Sequence, residues 1–332
     1  MARESRTTSP RVALVTGGSA GVGRATVVEL ARHGWDVGIL ARGAAGLAGA
    51  SRDVQAAGRR SFAVSADVVD LSAVRAAAAE VEGELGPIAL WVNVAFVGAL
   101  RSFWDTEPET FRRITDVTYL GQVNGTRVAL ELMRPRDRGV IVNVSSALAY
   151  RGIPLQSAYC GAKHAIKGFT ESVITELRHE GSHVKVCLAT LPGTNTPQFD
   201  WNDSAFGDRH PRPVAPIFQP ETAARLIRFL ADHPRRNAWV GVSSAYTVLG
   251  NRLAPALLDR YLAKTGVDGQ LADGGPRFGS NVFVTKDEEE DQGAHGMFDD
   301  CAHPHDPWSA ASMALWRVKD AVVAALRGTR RR

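Results

Sequence analysis

Val12-Ala13-Leu14-Val15-Thr16 runs directly into Gly17-Gly18-Ser19-Ala20-Gly21-Val22-Gly23. The first four residues are continuously apolar, and Val12, Val15 and Thr16 are β-branched, which reads as a strand buried on both faces. The glycines permit a tight turn. They also let backbone N–H groups approach a pyrophosphate at the N-terminus of the following helix, which runs to about His33 and stops at Gly34. A glycine-rich turn alone is a weak signal. Placed between such a strand and an amphipathic helix it predicts a dinucleotide-binding α/β fold.

The rest of the chain keeps the same rhythm. Val37–Ala41, Phe62–Val64, Ile88–Val94, Val140–Val144, Val184–Leu188 and Trp239–Val242 read as further strands. Ala44–Ala57, Ser72–Val81, Ala158–Glu180 and Pro220–Asp232 read as helices between them, and Thr106-x-x-Glu109 has capping-box spacing for a helix towards Met133. Repeated strand–helix alternation predicts a doubly wound, Rossmann-like parallel sheet. The expected organisation is a disordered tail over 1–10, a dinucleotide-binding and catalytic domain over 11–250, and a C-terminal helical extension over 251–332.

With 45% apolar and 22% charged residues, the composition is that of an ordinary globular protein. The net charge of +4 equals the contribution of Arg327, Arg330, Arg331 and Arg332, so no basic face for nucleic acid is expected. Cys160, Cys187 and Cys301 are sparse and odd in number, which argues for a reducing compartment. Met1–Pro10 has no apolar core of a secretory signal, so a cytoplasmic protein is expected, with no membrane contact.

Two constellations carry chemistry. Tyr159 and Lys163 stand at i and i+4 near the start of a long helix, so both can face one cleft. A nearby ammonium favours the phenolate and equips a tyrosine for proton transfer. Ser146, at the end of the preceding strand, returns a hydroxyl to the same mouth, where it can hydrogen-bond a substrate oxygen. At the end of the second strand stands Ala41-Arg42 in place of the usual carboxylate. A guanidinium there can accept a 2′-phosphate, so NADP(H) is expected over NAD(H).

T-G-x-x-x-G-x-G, the serine, the tyrosine–lysine pair and Pro192-Gly193-Thr194-Asn195-Thr196, in this order, resemble the short-chain dehydrogenase/reductase family over residues 11–245. The resemblance implies hydride transfer between a nicotinamide and a carbonyl/alcohol pair in a homodimer or homotetramer. It assigns catalysis to Ser146 (rather than Ser145), Tyr159 and Lys163, with Lys163 also on the nicotinamide ribose. Gly17, Ser19, Gly21, Val22 and Gly23 would hold the pyrophosphate, Asp67 and Val68 the adenine, and Asn93 and Ala95 the adenine and ribose. Pro192, Gly193, Thr194 and Thr196 would hold the carboxamide.

Two departures stand out. Phe96 replaces a glycine after the fourth strand, narrowing the space beside the cofactor or turning away into packing. Thr118 replaces the asparagine of a proton relay, where its hydroxyl can still hold a water. These changes keep a non-catalytic NADP(H)-binding regulator as an alternative.

Phe199, Trp201, Phe206 and Phe218 in the long loop 198–219 suggest either a largely apolar small-molecule substrate or rings that pin the loop. No arginine cluster marks the site for a phosphorylated or di-acid substrate. In the extension, Asn251–Lys264 reads as a helix and Asp287–Asp291 as a solvated acidic loop. His295, Asp299, Asp300, Cys301, His303 and His305 fit no zinc spacing, and no metal is expected. Trp308–Leu326 reads as an amphipathic helix docked on the domain or a neighbouring subunit; an interfacial membrane helix is the other alternative.

Overall fold

The computed structural model describes residues 11–274 and 279–329. The tail over 1–10 and the last three arginines lie outside the described residues.

Seven parallel strands form the main sheet: β1 (Arg11–Thr16), β2 (Trp35–Ala41), β3 (Ser61–Ser65), β4 (Ile88–Asn93), β5 (Val140–Ser146), β6 (Lys185–Leu191) and β7 (Asn237–Trp239). Their order across the sheet is β7-β6-β5-β4-β1-β2-β3. The chain therefore reverses direction between β1 and β4, and a crevice opens beyond the strand ends at that point. Alternation along β1 sends Ala13 and Val15 into one apolar core and Val12 and Leu14 into the other. Helices α1 (Gly21–Arg32), α2 (Ala44–Ala56) and α7 (Pro220–Asp232) cover the first face, with Val27, Leu30, Val54 and Leu226 buried. The second face is covered by α3 (Leu71–Leu85), α5 (Gly121–Met133) and α6 (Ser157–His179), through Val81, Val128 and Ile174.

The expected capping box does not form. Helix α4 spans Pro108–Thr115, because Pro108 supplies a preset φ and needs no N–H partner at the first helical position. Thr106 instead donates its hydroxyl to the Ser102 carbonyl. A wide π turn, Asp116–Leu120, then joins α4 to α5. The single helix expected over Asn251–Lys264 is two, α8 (Val242–Leu253) and α9 (Pro255–Thr265). Pro255 keeps Ala254 out of the helical region, at φ −145°.

The last helix, α10 (Pro307–Thr329), docks as expected on the body, but through few residues. Trp316 stacks on Phe229 at 6.0 Å between ring centres, and Asp320 pairs with Arg235 at 2.8 Å. Leu315, Val318, Val322 and Leu326 remain exposed. Among the described residues no helix is long and apolar enough to cross a membrane.

Candidate active site

The glycine turn is a cradle set by steric necessity. Gly17 adopts φ +69°, and a Cβ on Gly23 would stand 1.9 Å from the Gly17 carbonyl oxygen. Only glycine lets the first turn of α1 come this close to β1 and leave room above it. Gly17, Ser19, Gly21, Val22 and Gly23 line a cleft of about 130 Å³ together with Arg42, Asp67, Val68 and Ala95. The residues present thus fit the adenosine and pyrophosphate parts of a dinucleotide. Asn93 does not join them. It is fully buried, accepts from Trp91 at 2.8 Å and donates to Asn143 at 2.9 Å, tying β4 to β5 beneath the cleft.

At the adenosine end, Arg42 donates to the Asn281 carbonyl at 3.1 Å. Burial lowers the pKa of its guanidinium, against the opposing charge of Asp67. Burial also opposes ionisation of Asp67, yet its bond to Arg113 and the Val69 N–H hold that carboxyl below its ordinary range.

A second cavity, about 460 Å³, adjoins the first and shares Val22, Val94, Phe96, Thr196 and Gln198 with it. Ser146, Tyr159 and Lys163 line it, as do Pro192, Gly193 and Thr194. The long β5 carries Ser146 to the mouth, and α6 begins early enough to place Tyr159 opposite. Ser145 and Ser146 separate cleanly: the Ser145 hydroxyl donates inward to the Lys163 carbonyl at 3.4 Å, whereas the Ser146 hydroxyl accepts the Leu148 N–H at 3.2 Å and faces the cavity with Tyr159. Burial pushes the Tyr159 phenol above its ordinary pKa, and the neighbouring Ser146 hydroxyl partly offsets the rise. Lys163 is buried and donates to the Val144 carbonyl at 3.0 Å, and burial alone brings its pKa down to about 7.

Phe96 faces the site. Its ring meets Tyr159 edge-on at 5.7 Å, and the Lys163 ammonium lies 5.4 Å from its centre. It lines both cavities, at the place where they meet. Thr118 lies elsewhere. Fully buried, its hydroxyl donates to the Val97 carbonyl at 2.9 Å and accepts from the Val97 N–H at 3.2 Å. It lines neither cavity and pins the loop that carries Phe96.

The aromatic loop divides between its two expected uses. Phe199 lines the catalytic cavity and Trp201 the cofactor cleft, while buried Phe218 holds the loop to Thr194 and His303 through backbone pairing. Several lining residues escaped sequence reasoning. Arg151, Arg212, Tyr246, Leu258, Tyr261 and Leu262 face the catalytic cavity, the last four from α8 and α9. Asn281, Thr285, Lys286 and Asp287 face the cofactor cleft.

The acidic run Asp287–Asp291 is solvated only in its middle: Glu288, Glu289 and Glu290 are exposed as expected, whereas Asp287 is buried and Asp291 pairs with Arg24 at 3.0 Å. The Glu288 carboxylate accepts the Ala44 N–H of α2 and Asp291 meets Arg24 of α1, contacts that local sequence does not reveal. His295 bonds Asp299 and Glu221, each at 2.8 Å, and no group of three or more metal-ligating side chains is arranged around an ion among the described residues.

This sheet, glycine cradle and Ser–Tyr–Lys grouping define a nicotinamide-type oxidoreductase scaffold, and comparison with known proteins agrees. The family model "short chain dehydrogenase" matches residues 11–204, and the chain belongs to that family of oxidoreductases. It is 31% identical to the oxidoreductase YxnA of Bacillus subtilis over 79% of this chain and 74% of the relative. A short-chain dehydrogenase/reductase from Burkholderia phymatum, solved with NAD, superposes with a TM-score of 0.68 at 23% identity, over 75% of this chain and 95% of that one. A point variant of actinorhodin polyketide ketoreductase, solved with NADPH, gives 0.60 at 25% identity, over 67% and 90%.

Proposed function

We propose that this protein transfers a hydride between NADP(H) and a carbonyl or secondary alcohol of a largely apolar small molecule. The observation that carries this reading is the convergence of Ser146, Tyr159 and Lys163 on the wall of one roomy cavity, with the Lys163 ammonium 5.4 Å from the Tyr159 ring centre. A purely regulatory binding protein has no need of that arrangement. The nicotinamide, when bound, supplies or receives the hydride. Ser146 donates to the substrate oxygen and fixes its position. Tyr159 delivers a proton to that oxygen in reduction and removes it in oxidation. A phenol raised in pKa by burial is a poor base until positive charge is brought near it, so proton transfer is tied to an occupied site.

Arg42 at the adenosine end supports NADP(H) over NAD(H). Arg42→Ala should weaken NADPH binding by about 1.5–3 kcal/mol, the range for hydrogen bonds to charged groups, and leave NADH nearly unaffected. The direct test is a panel of ketones and aldehydes offered with NADPH or NADH and followed by loss of nicotinamide absorbance. No turnover of any carbonyl by the wild type, or equal affinity for the two cofactors, would reject the respective half of the proposal.

A further inference from the structure

The C-terminal segment 281–303 lies along the whole mouth of the cleft. Asn281 and Val282 carbonyls accept from Arg42 and Arg113. Glu288 accepts the Ala44 and Ala45 N–H groups, through its carboxylate and its backbone, and the Asp287 carbonyl accepts the Gly46 N–H. The Gly293 carbonyl accepts from Gly21 in the glycine cradle, and Phe298 donates to Asn195 beyond the Pro192-Gly193 turn. Helix α2 has no cap or first-turn acid of its own. Its first N–H groups have no partner within the helix and favour an anion beside Arg42, and the strap occupies them with the Glu288 carboxylate and the Glu288 and Asp287 carbonyls.

We infer that Asp287 and Glu288 set cofactor choice by competing with a 2′-phosphate for Arg42 and the N-terminus of α2. Family members ordinarily place a discriminating carboxylate at the end of β2; here that position holds Arg42, and the carboxylate comes from the distant C-terminal strap. The Asp287 carboxylate is buried against Gly43 and Gly46, where an added Cβ would stand 2.0 and 2.4 Å from its oxygens. It acts electrostatically on Arg42 and lines the same cleft. A 2′-phosphate entering here meets like charge from Asp287 in the cleft wall and from Glu288 at the start of α2, partly offset by Lys286 on the same strap. The ribose 2′-hydroxyl of NAD(H) carries no such conflict. This inference rests on the proposed seating of the dinucleotide in the cleft.

The test is the ratio of NADPH to NADH affinity, measured by titration of the full chain. Asp287→Asn/Glu288→Gln keeps the capping oxygens and removes both charges, so the ratio should rise roughly tenfold or more. Gly49→Ala reaches the strap independently, since its Cβ would lie 1.8 Å from an Asp291 oxygen while alanine suits the helix; it should raise the ratio too. An unchanged ratio in both variants overturns the strap's role. The wild-type ratio and its fall in Arg42→Ala judge the NADP(H) reading separately.

A second observation concerns the substrate. The catalytic cavity is lined by no acidic side chain, and of its two arginines Arg151 is bound to Asn251 and Asp259. Arg212 has a buried Nε without a hydrogen-bond partner and, among the described residues, no paired carboxylate. The geometry points to a substrate whose apolar body ends in an anionic group held by Arg212. Binding of 4-phenylbutanoate and of its methyl ester to the NADPH-loaded enzyme tests this without turnover. The anion should bind at least roughly tenfold more tightly to wild type, and Arg212→Gln should abolish that advantage. Equal binding of the two compounds, or a preference that survives Arg212→Gln, removes the assignment.

Discussion

Tyr159→Phe removes one exchangeable proton from a ring that packs edge-on against Phe96 and leaves that packing intact. Turnover should fall by about 10²–10⁴-fold with cofactor affinity nearly unchanged, as measured by steady-state rates beside a binding titration. Lys163 offers a different signature. Its folded pKa of about 7 lies below its ordinary 10.5, so between those values the unfolded chain holds a proton that the folded chain has released. Stability of the free protein should therefore rise with pH across that window, with the full penalty of burying the cation present below about 7. Lys163→Met should flatten this part of the curve in denaturant titrations at several pH values. Thr118→Val strips the Val97 N–H and carbonyl of their partner in a fully buried place, which should cost about 1–3 kcal/mol of stability. A Thr118→Val protein with unaltered stability would show that Val97 finds other partners.

At the scale of elements, the extension has two separable jobs. Helices α8 and α9 wall the catalytic cavity with Tyr246, Leu258, Tyr261 and Leu262, whereas α10 contributes nothing to it. Tyr261→Ala should accordingly change KM for carbonyl substrates and leave cofactor affinity alone. Trp316→Ala, breaking the stack on Phe229, should lower stability by about 1–3 kcal/mol, less than a fully buried tryptophan, with substrate KM unchanged. A KM shift in the Trp316 variant would mean that α10 reaches the pocket through α7. Sequence reading treated 251–332 as one appendage because each piece is short and amphipathic. Which piece meets the cavity depends on the break at Ala254-Pro255 and on contacts across more than a hundred residues.

For the whole molecule, both cavities lie at one end of the sheet and share Phe96 in their linings, so they form a single continuous space. Cofactor at about a hundred times its dissociation constant should stabilise the folded chain by roughly 2.7 kcal/mol, read as a rise in Tm. The parallel sheet, its helices and the Ser146–Tyr159–Lys163 grouping were legible in the chain alone. Strand and helix periods are local, and a serine at a strand end and an i, i+4 pair at a helix start reach one crevice by connectivity. Asn93 and Thr118 were misjudged in their surroundings, since burial decides whether a polar side chain faces a ligand or satisfies backbone and neighbours. The path of 281–303 over the cradle was settled only by tertiary structure. An acidic run has no period of its own, and its place follows from Arg24 and from the α2 N–H groups that lack a partner within the helix, more than two hundred residues away in sequence.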